Sequence, residues 1–126
     1  MRDLPSGPEL ESLAREWEER GIDGLPPKER ATAAAMIERC RAIARREADA
    51  GTDALAPIRA ALAALYVGDQ SKHFAQLAAE IRSGALDAPS ARRDRVLALL
   101  WSLTLQKLRE SNPRFLAAHG YDPGAR

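Results

Sequence analysis

Apolar residues recur along this chain at intervals of three and four, and no stretch sustains the strict alternation of a half-buried strand, so the pattern predicts helices throughout. A first helix is expected from about Pro8 to Arg20, because proline suits the first turn and Leu10, Leu13, Ala14 and Trp17 fall on one stripe. Gly21 ends it, and "GIDGLPP" follows as a loop whose Ile22 and Leu25 are expected to cover an edge of the core. The second helix starts near Pro27 or Lys28 and runs to about Ala50, with Gly51 as its stop. Its broad apolar face carries Ala33, Met36, Ile37, Cys40, Ile43, Ala44 and Ala48, and Glu38, Arg41, Arg45 and Asp49 lie opposite.

A third helix, "PIRAALAALYV", begins at Pro57, since a proline deeper inside would break a backbone bond and clash one turn back. Its stripe is Ile58, Leu62, Leu65 and Tyr66, closed by Gly68. The fourth helix spans roughly Ser71 to Ser83, with Phe74, Leu77, Ala78 and Ile81 inward and Gly84 as its end. Asp87 or Ser90 caps a fifth helix that reaches about Ser111 and is apolar over more than half its circumference, including Val96, Leu99, Leu100, Trp101, Leu103 and Leu105. After Pro113 a short sixth helix, "PRFLAAHG", ends at Gly120, and residues 121–126 are expected to fray. The resulting expectation is an all-α fold, one domain over residues 1–126, built as a bundle of five to six helices.

Composition narrows the partners. At 126 residues the chain is long enough to bury a core without staples. The net charge is only +1, with signs interspersed, which gives no general pull towards nucleic acid or an anionic membrane. Arg39, Arg41, Arg45 and Arg46 form one basic group and Arg92, Arg93 and Arg95 another, but acids share the same helix face and stacking aromatics are missing, so no nucleic-acid partner is expected. No apolar leader opens the sequence and no apolar run approaches the ~18 residues of a bilayer span, so no membrane is expected and the cytoplasm is the default.

Candidate chemistry is sparse. Cys40 has no base in its sequence neighbourhood and sits among Met36, Ile37 and Ala44, which favours a small core residue over a nucleophile. His73, Gln76 and Glu80 share one edge of the fourth helix, a spacing that could offer two or three donors to a metal, although a surface or rim role fits better. No phosphate loop, catalytic triad order or paired carboxylates occur, so no catalytic, cofactor-binding or metal-binding residue is assigned, no cofactor is expected, and the sequence points away from an enzyme.

Two charged residues stand out instead. Glu47 and Lys107 each interrupt the apolar face of a long helix, where an isolated charge is costly. Either they meet or find other partners in the core, or Lys107 snorkels to water past the end of its helix. The "NPRFL" stretch is a structural corner: Pro113 cannot continue the fifth helix and biases Asn112 towards the backbone geometry of an N-cap. Trp101 and Leu105, at one margin of the fifth helix, are the candidate interface to a protein partner or a second copy.

The strings "RDLPSGPELESLAREW", "AIARRE", "AAEIRSGALD" and above all "LQKLRESNPRFL" resemble a small bacterial family of unknown function, over most of the chain. Members are often encoded beside, or fused to, aminoglycoside-phosphotransferase-like kinases and acyl-CoA dehydrogenases. The resemblance implies an all-helical cytoplasmic domain with an accessory part in such a system, and it implies no catalytic residues. Glu47, Lys107, Asn112, Pro113 and Leu116 occupy its most typical strings, whereas "EERGIDGLPP" departs from it where the first helix would run on into a more apolar stretch. The chain is too short for a kinase of that type and lacks its nucleotide-binding motifs. Two functions remain open on the sequence: a non-catalytic interaction domain, or a small ligand-binding or enzymatic module with a pocket between helices around Lys107 and Glu47, with His73 or Arg109 as further candidates.

Overall fold

Helix boundaries in this protein are set by local chemistry. Ser6 and Glu9 close the first helix start, the Ser6 N–H donating to Glu9 Oε2 at 2.6 Å and its hydroxyl to the same oxygen at 2.7 Å. These donors hold the Glu9 carboxyl below its usual range, the backbone N–H more than the hydroxyl. Ser90 caps the fifth helix by accepting from the Arg93 N–H at 3.1 Å. At the other end of the second helix Gly51 adopts φ 66°, a left-handed value that disfavours any side chain, and its N–H reaches back to the carbonyls of Glu47 and Ala48.

The computed structural model describes residues 4–122. Among these residues the chain forms α1 (Gly7–Arg20), α2 (Pro27–Ala50), α3 (Ala56–Leu65), α4 (His73–Arg82), α5 (Ala91–Ser111) and α6 (Pro113–Ala118), with 3-10 turns at Thr52–Leu55 and Gln70–Lys72 and no strand. The fold is all-α, with six helices, as the periodicity predicts. None of the described helices is long and apolar enough to cross a membrane.

The main core lies where α3, α4 and α5 meet: Ile58, Leu62, Leu77, Val96, Leu99 and Leu103 are all buried and form one cluster. Its rim is clamped by charge. Tyr66, just past the end of α3, donates its hydroxyl to Glu80 on α4 at 2.5 Å, and Arg92 on α5 donates to both Glu80 oxygens at 2.5 and 2.9 Å. The Arg92 guanidinium also lies over the Tyr66 ring, 5.1 Å from its centre. Arg92 and Tyr66 together pull the Glu80 carboxyl down to about 2, and desolvation and then Glu80 push the Tyr66 phenol up to about 12.

A pH prediction follows from Glu80. Its folded value lies below the unfolded one, so the stability it contributes is present above about pH 4.5 and is lost as pH falls towards about 2. Glu80→Gln should cost about 1 to 2 kcal/mol at neutral pH, the scale of hydrogen bonds to a charged group on a partly exposed edge. Urea melts of both proteins should converge as the pH is lowered through that window; a constant gap would show that the clamp is not what Glu80 contributes.

Several expected boundaries and faces shift. α3 stops at Leu65 rather than running on to Gly68, because Tyr66 turns to extended backbone (φ −127°, ψ 139°) to reach Glu80. The start of α4 is preceded by a 3-10 turn held by the Asp69 side chain, which accepts from the Ser71 N–H at 3.0 Å. Leu77 and Phe74 stay in the core as expected, but His73, expected at the surface or rim, joins them with 2% exposure, and Ile81, expected inside, is 44% exposed. In the segment expected to fray, Tyr121 is instead anchored, its N–H donating to the Leu116 carbonyl at 2.9 Å and its ring meeting Trp101 edge-on at 5.7 Å; residues 123–126 lie outside the described residues.

Candidate functional site

α1 and α2 form an antiparallel hairpin whose two flanks differ. Small side chains at the crossing, Ala14 and Ala33, are buried together with Ile37 and let the helices approach closely. One flank is zipped by Arg41, which donates through Nη1 and Nη2 to the two Glu18 oxygens at 2.5 Å each and lies 3.6 Å from Glu11. The Glu18 bond holds that carboxyl low and raises the Arg41 guanidinium. Periodicity places Arg41 on the face of α2 opposite its apolar stripe, beside Glu38; in the fold that position pairs with Glu18 on α1.

The other flank stays open. It is a groove of about 570 Å3 between α1 and α2 whose walls include Leu13, Trp17, Leu25, Met36 and Ile37, with Lys28 and Glu29 among the residues that line it. Leu13, Trp17 and Met36 are 41, 43 and 59% exposed although the sequence pattern places all three on inward stripes. Cys40 also lines this groove and is half-buried.

Glu47 lies at the far end of the hairpin, nearly buried, where its Oε2 accepts from the Gly7 N–H at 2.8 Å. A carboxylate at the start of α1 complements the helix dipole and satisfies one of the amides that no intrahelical carbonyl reaches. Lys107 is half-buried on α5. The ends of α2 and α5 are joined next to both residues, since Arg46 donates its Nε to the Glu110 carbonyl at 2.6 Å. Burial lowers the Arg46 guanidinium, with further lowering from the charges of Arg39 and Arg45.

A second cavity, about 500 Å3, opens between α2, the Thr52–Leu55 turn, α3 and α5. Glu47 and Lys107 do not line it; their neighbours Arg46, Gln106 and Arg109 do, together with Asp49, Asp53 and Glu110. Arg109, a further candidate for such a pocket on the sequence, is among its lining residues, whereas His73 is not. The Arg109 Nε is enclosed and meets no hydrogen-bond acceptor.

The remaining sequence candidates are dispersed. Trp101 is 52% exposed beside Leu97 at 51%, while Leu105 is half-buried. Asn112 accepts from the Phe115 N–H at 3.3 Å, and Pro113 opens α6 in its first turn. His73 and Glu80 do not form a metal edge: Glu80 is held by Arg92 and Tyr66, and the His73 ring packs 6.0 Å from the Tyr66 ring. No group of three or more His, Cys, Asp or Glu among the described residues is placed to hold a metal ion.

The fold and these sites define a small all-helical domain with an open apolar groove on its N-terminal hairpin and a second cavity, edged by charged side chains, at the junction of α2, α3 and α5. Residues 25–115 match the model of the family described as Domain of unknown function (DUF6285), and the chain belongs to that family. The match takes in "AIARRE", "AAEIRSGALD" and nearly all of "LQKLRESNPRFL", and it begins after α1 and its "RDLPSGPELESLAREW" string. No curated protein and no solved structure matches the chain.

Proposed function

We propose that this chain is a non-catalytic helical interaction domain that pairs with a second copy of itself through the α1–α2 hairpin, and that it serves as an accessory to a larger enzyme. The aminoglycoside-phosphotransferase-like kinases and acyl-CoA dehydrogenases that accompany the family it resembles are the candidate enzymes. The observation that carries the self-pairing is the open groove, with Leu13, Trp17 and Met36 exposed on a hairpin whose own buried set is little more than Ala14, Ala33 and Ile37. A helical hairpin with one covered flank is half of a four-helix bundle, and a second hairpin supplies the missing layer.

Charge selects the copy over a partner of one sign. Lys28 and Glu29 both line the groove, so a two-fold arrangement can set each against its opposite on the other copy. A uniformly acidic or basic partner would meet one repulsive residue for each attractive one. The test uses Trp17 in a Trp101→Phe background, where it is the only tryptophan. Its emission is expected to move to longer wavelength on dilution from high to low micromolar protein, as the groove is exposed to water. Emission independent of concentration would contradict self-pairing.

A further inference from the structure

We propose that the two copies pair in parallel, with their 21–26 loops at the same end, and that Lys28 of each copy faces Glu29 of the other across the two-fold axis. The orientation rests on the pairing through the hairpin and follows from how charge is distributed along the groove. Lys28 and Glu29 are the charged residues among those that line it, and both stand at its loop end with Leu25. The opposite end of the groove wall on α2, at Ile37 and Cys40, carries no charge. Lys28 and Glu29 are exposed, and neither makes an ion pair among the described residues.

A two-fold pair can cover the groove in two ways. With the axis across the helices, the loops lie at opposite ends and the charged end of each groove meets the uncharged end of the other. Twelve positions separate Lys28 from Cys40, about 18 Å of helix, so Lys28 and Glu29 would be covered by Ile37 and Cys40 with no opposite charge in reach. Burying an unpaired charge in that way is costly. With the axis along the helices, each residue of one groove faces the same level of the other. Lys28 and Glu29 are neighbours in sequence, so this arrangement brings each to its opposite, twice per pair. A crosswise axis at the level of residues 28–29 would also join them, but it would leave Trp17 and Met36 uncovered. Because α2 leads at its far end towards the α3–α4–α5 core, the parallel pair carries both cores at one end and both loops at the other.

The test exchanges the charges in the full chain. Lys28→Glu and Glu29→Lys are made singly, and each is measured by sedimentation velocity alone and as an equimolar mixture. Alone, each variant sets like charges against each other at two places, and its dissociation constant is expected to rise about tenfold or more over that of the wild type. Mixed, the Lys28→Glu chain offers two acids and the Glu29→Lys chain two bases, so a dimer of wild-type strength should return. Both positions are exposed, and the circular dichroism of each variant should match the wild type. Two outcomes would overturn the parallel orientation while the pairing stands: single variants that dimerise as tightly as a dimeric wild type, or a mixture no tighter than its components. A wild-type chain that never dimerises would overturn the pairing and the orientation with it.

Discussion

Leu116→Ala is expected to cost about 3 kcal/mol of folding free energy, within the range for truncating a fully buried leucine. Leu116 is 1% exposed and is the buried residue of α6. A helix of six residues cannot hold itself in water, because nucleation costs more than so few hydrogen bonds return. Its order therefore rests on the Asn112 cap, the preset backbone of Pro113 and the burial of this one side chain. The Tyr121 N–H bond to the Leu116 carbonyl and the Tyr121 contact with Trp101 depend on the same anchor. Denaturant melts should show the loss with an unchanged slope, accompanied by altered Trp101 fluorescence in the folded baseline. A cost below about 1 kcal/mol would mean that α6 is peripheral to the fold.

Glu47→Ala is expected to cost about 2 to 3 kcal/mol, the scale of removing a charged acceptor from a buried donor. The carboxylate joins residues forty positions apart in sequence, and without it the Gly7 N–H is left buried with no acceptor. The approach is close: a Cβ on Gly7 would sit 3.2 Å from the Glu47 Cδ and Oε2 and 3.4 Å from the Ala44 Cα. Glycine is needed there for that contact, not for an unusual backbone angle. Glu47→Gln retains an acceptor and should recover more than half of the loss. Amide exchange in Glu47→Ala should accelerate through α1 while the α3–α4–α5 core keeps its protection, because α1 packs mainly on α2. Uniform acceleration across all helices would contradict the assignment of Glu47 to the hairpin.

The helices were legible because their stops are chemical: Gly21, Gly51 and Gly84 close α1, α2 and the turn after α4, and the Asn112–Pro113 pair both ends α5 and starts α6. The faces were less so. Periodicity marks which residues share a stripe but not how far a neighbouring helix covers it, so Met36 and Trp17 read as core and stand exposed. Long-range charge pairing was invisible for the same reason. Arg41 and Arg92 look like members of basic clusters, and only the packing of helices distant in sequence brings Glu18 and Glu80 to them. Buried Glu47 was marked by its position in an apolar stripe, whereas its acceptor role needed the three-dimensional return of α1.

The most direct measurement of the central claim is sedimentation velocity on the wild-type chain and on Met36→Glu. Met36 is 59% exposed, so the substitution leaves the folded monomer intact while placing a charge on the groove that would be covered by the second hairpin. The account predicts a wild-type species of twice the 13.7 kDa chain mass at high micromolar concentration and a monomer for Met36→Glu with an unchanged circular dichroism spectrum. A wild-type chain that sediments as a monomer at every concentration, or a Met36→Glu dimer as stable as the wild type, would contradict it.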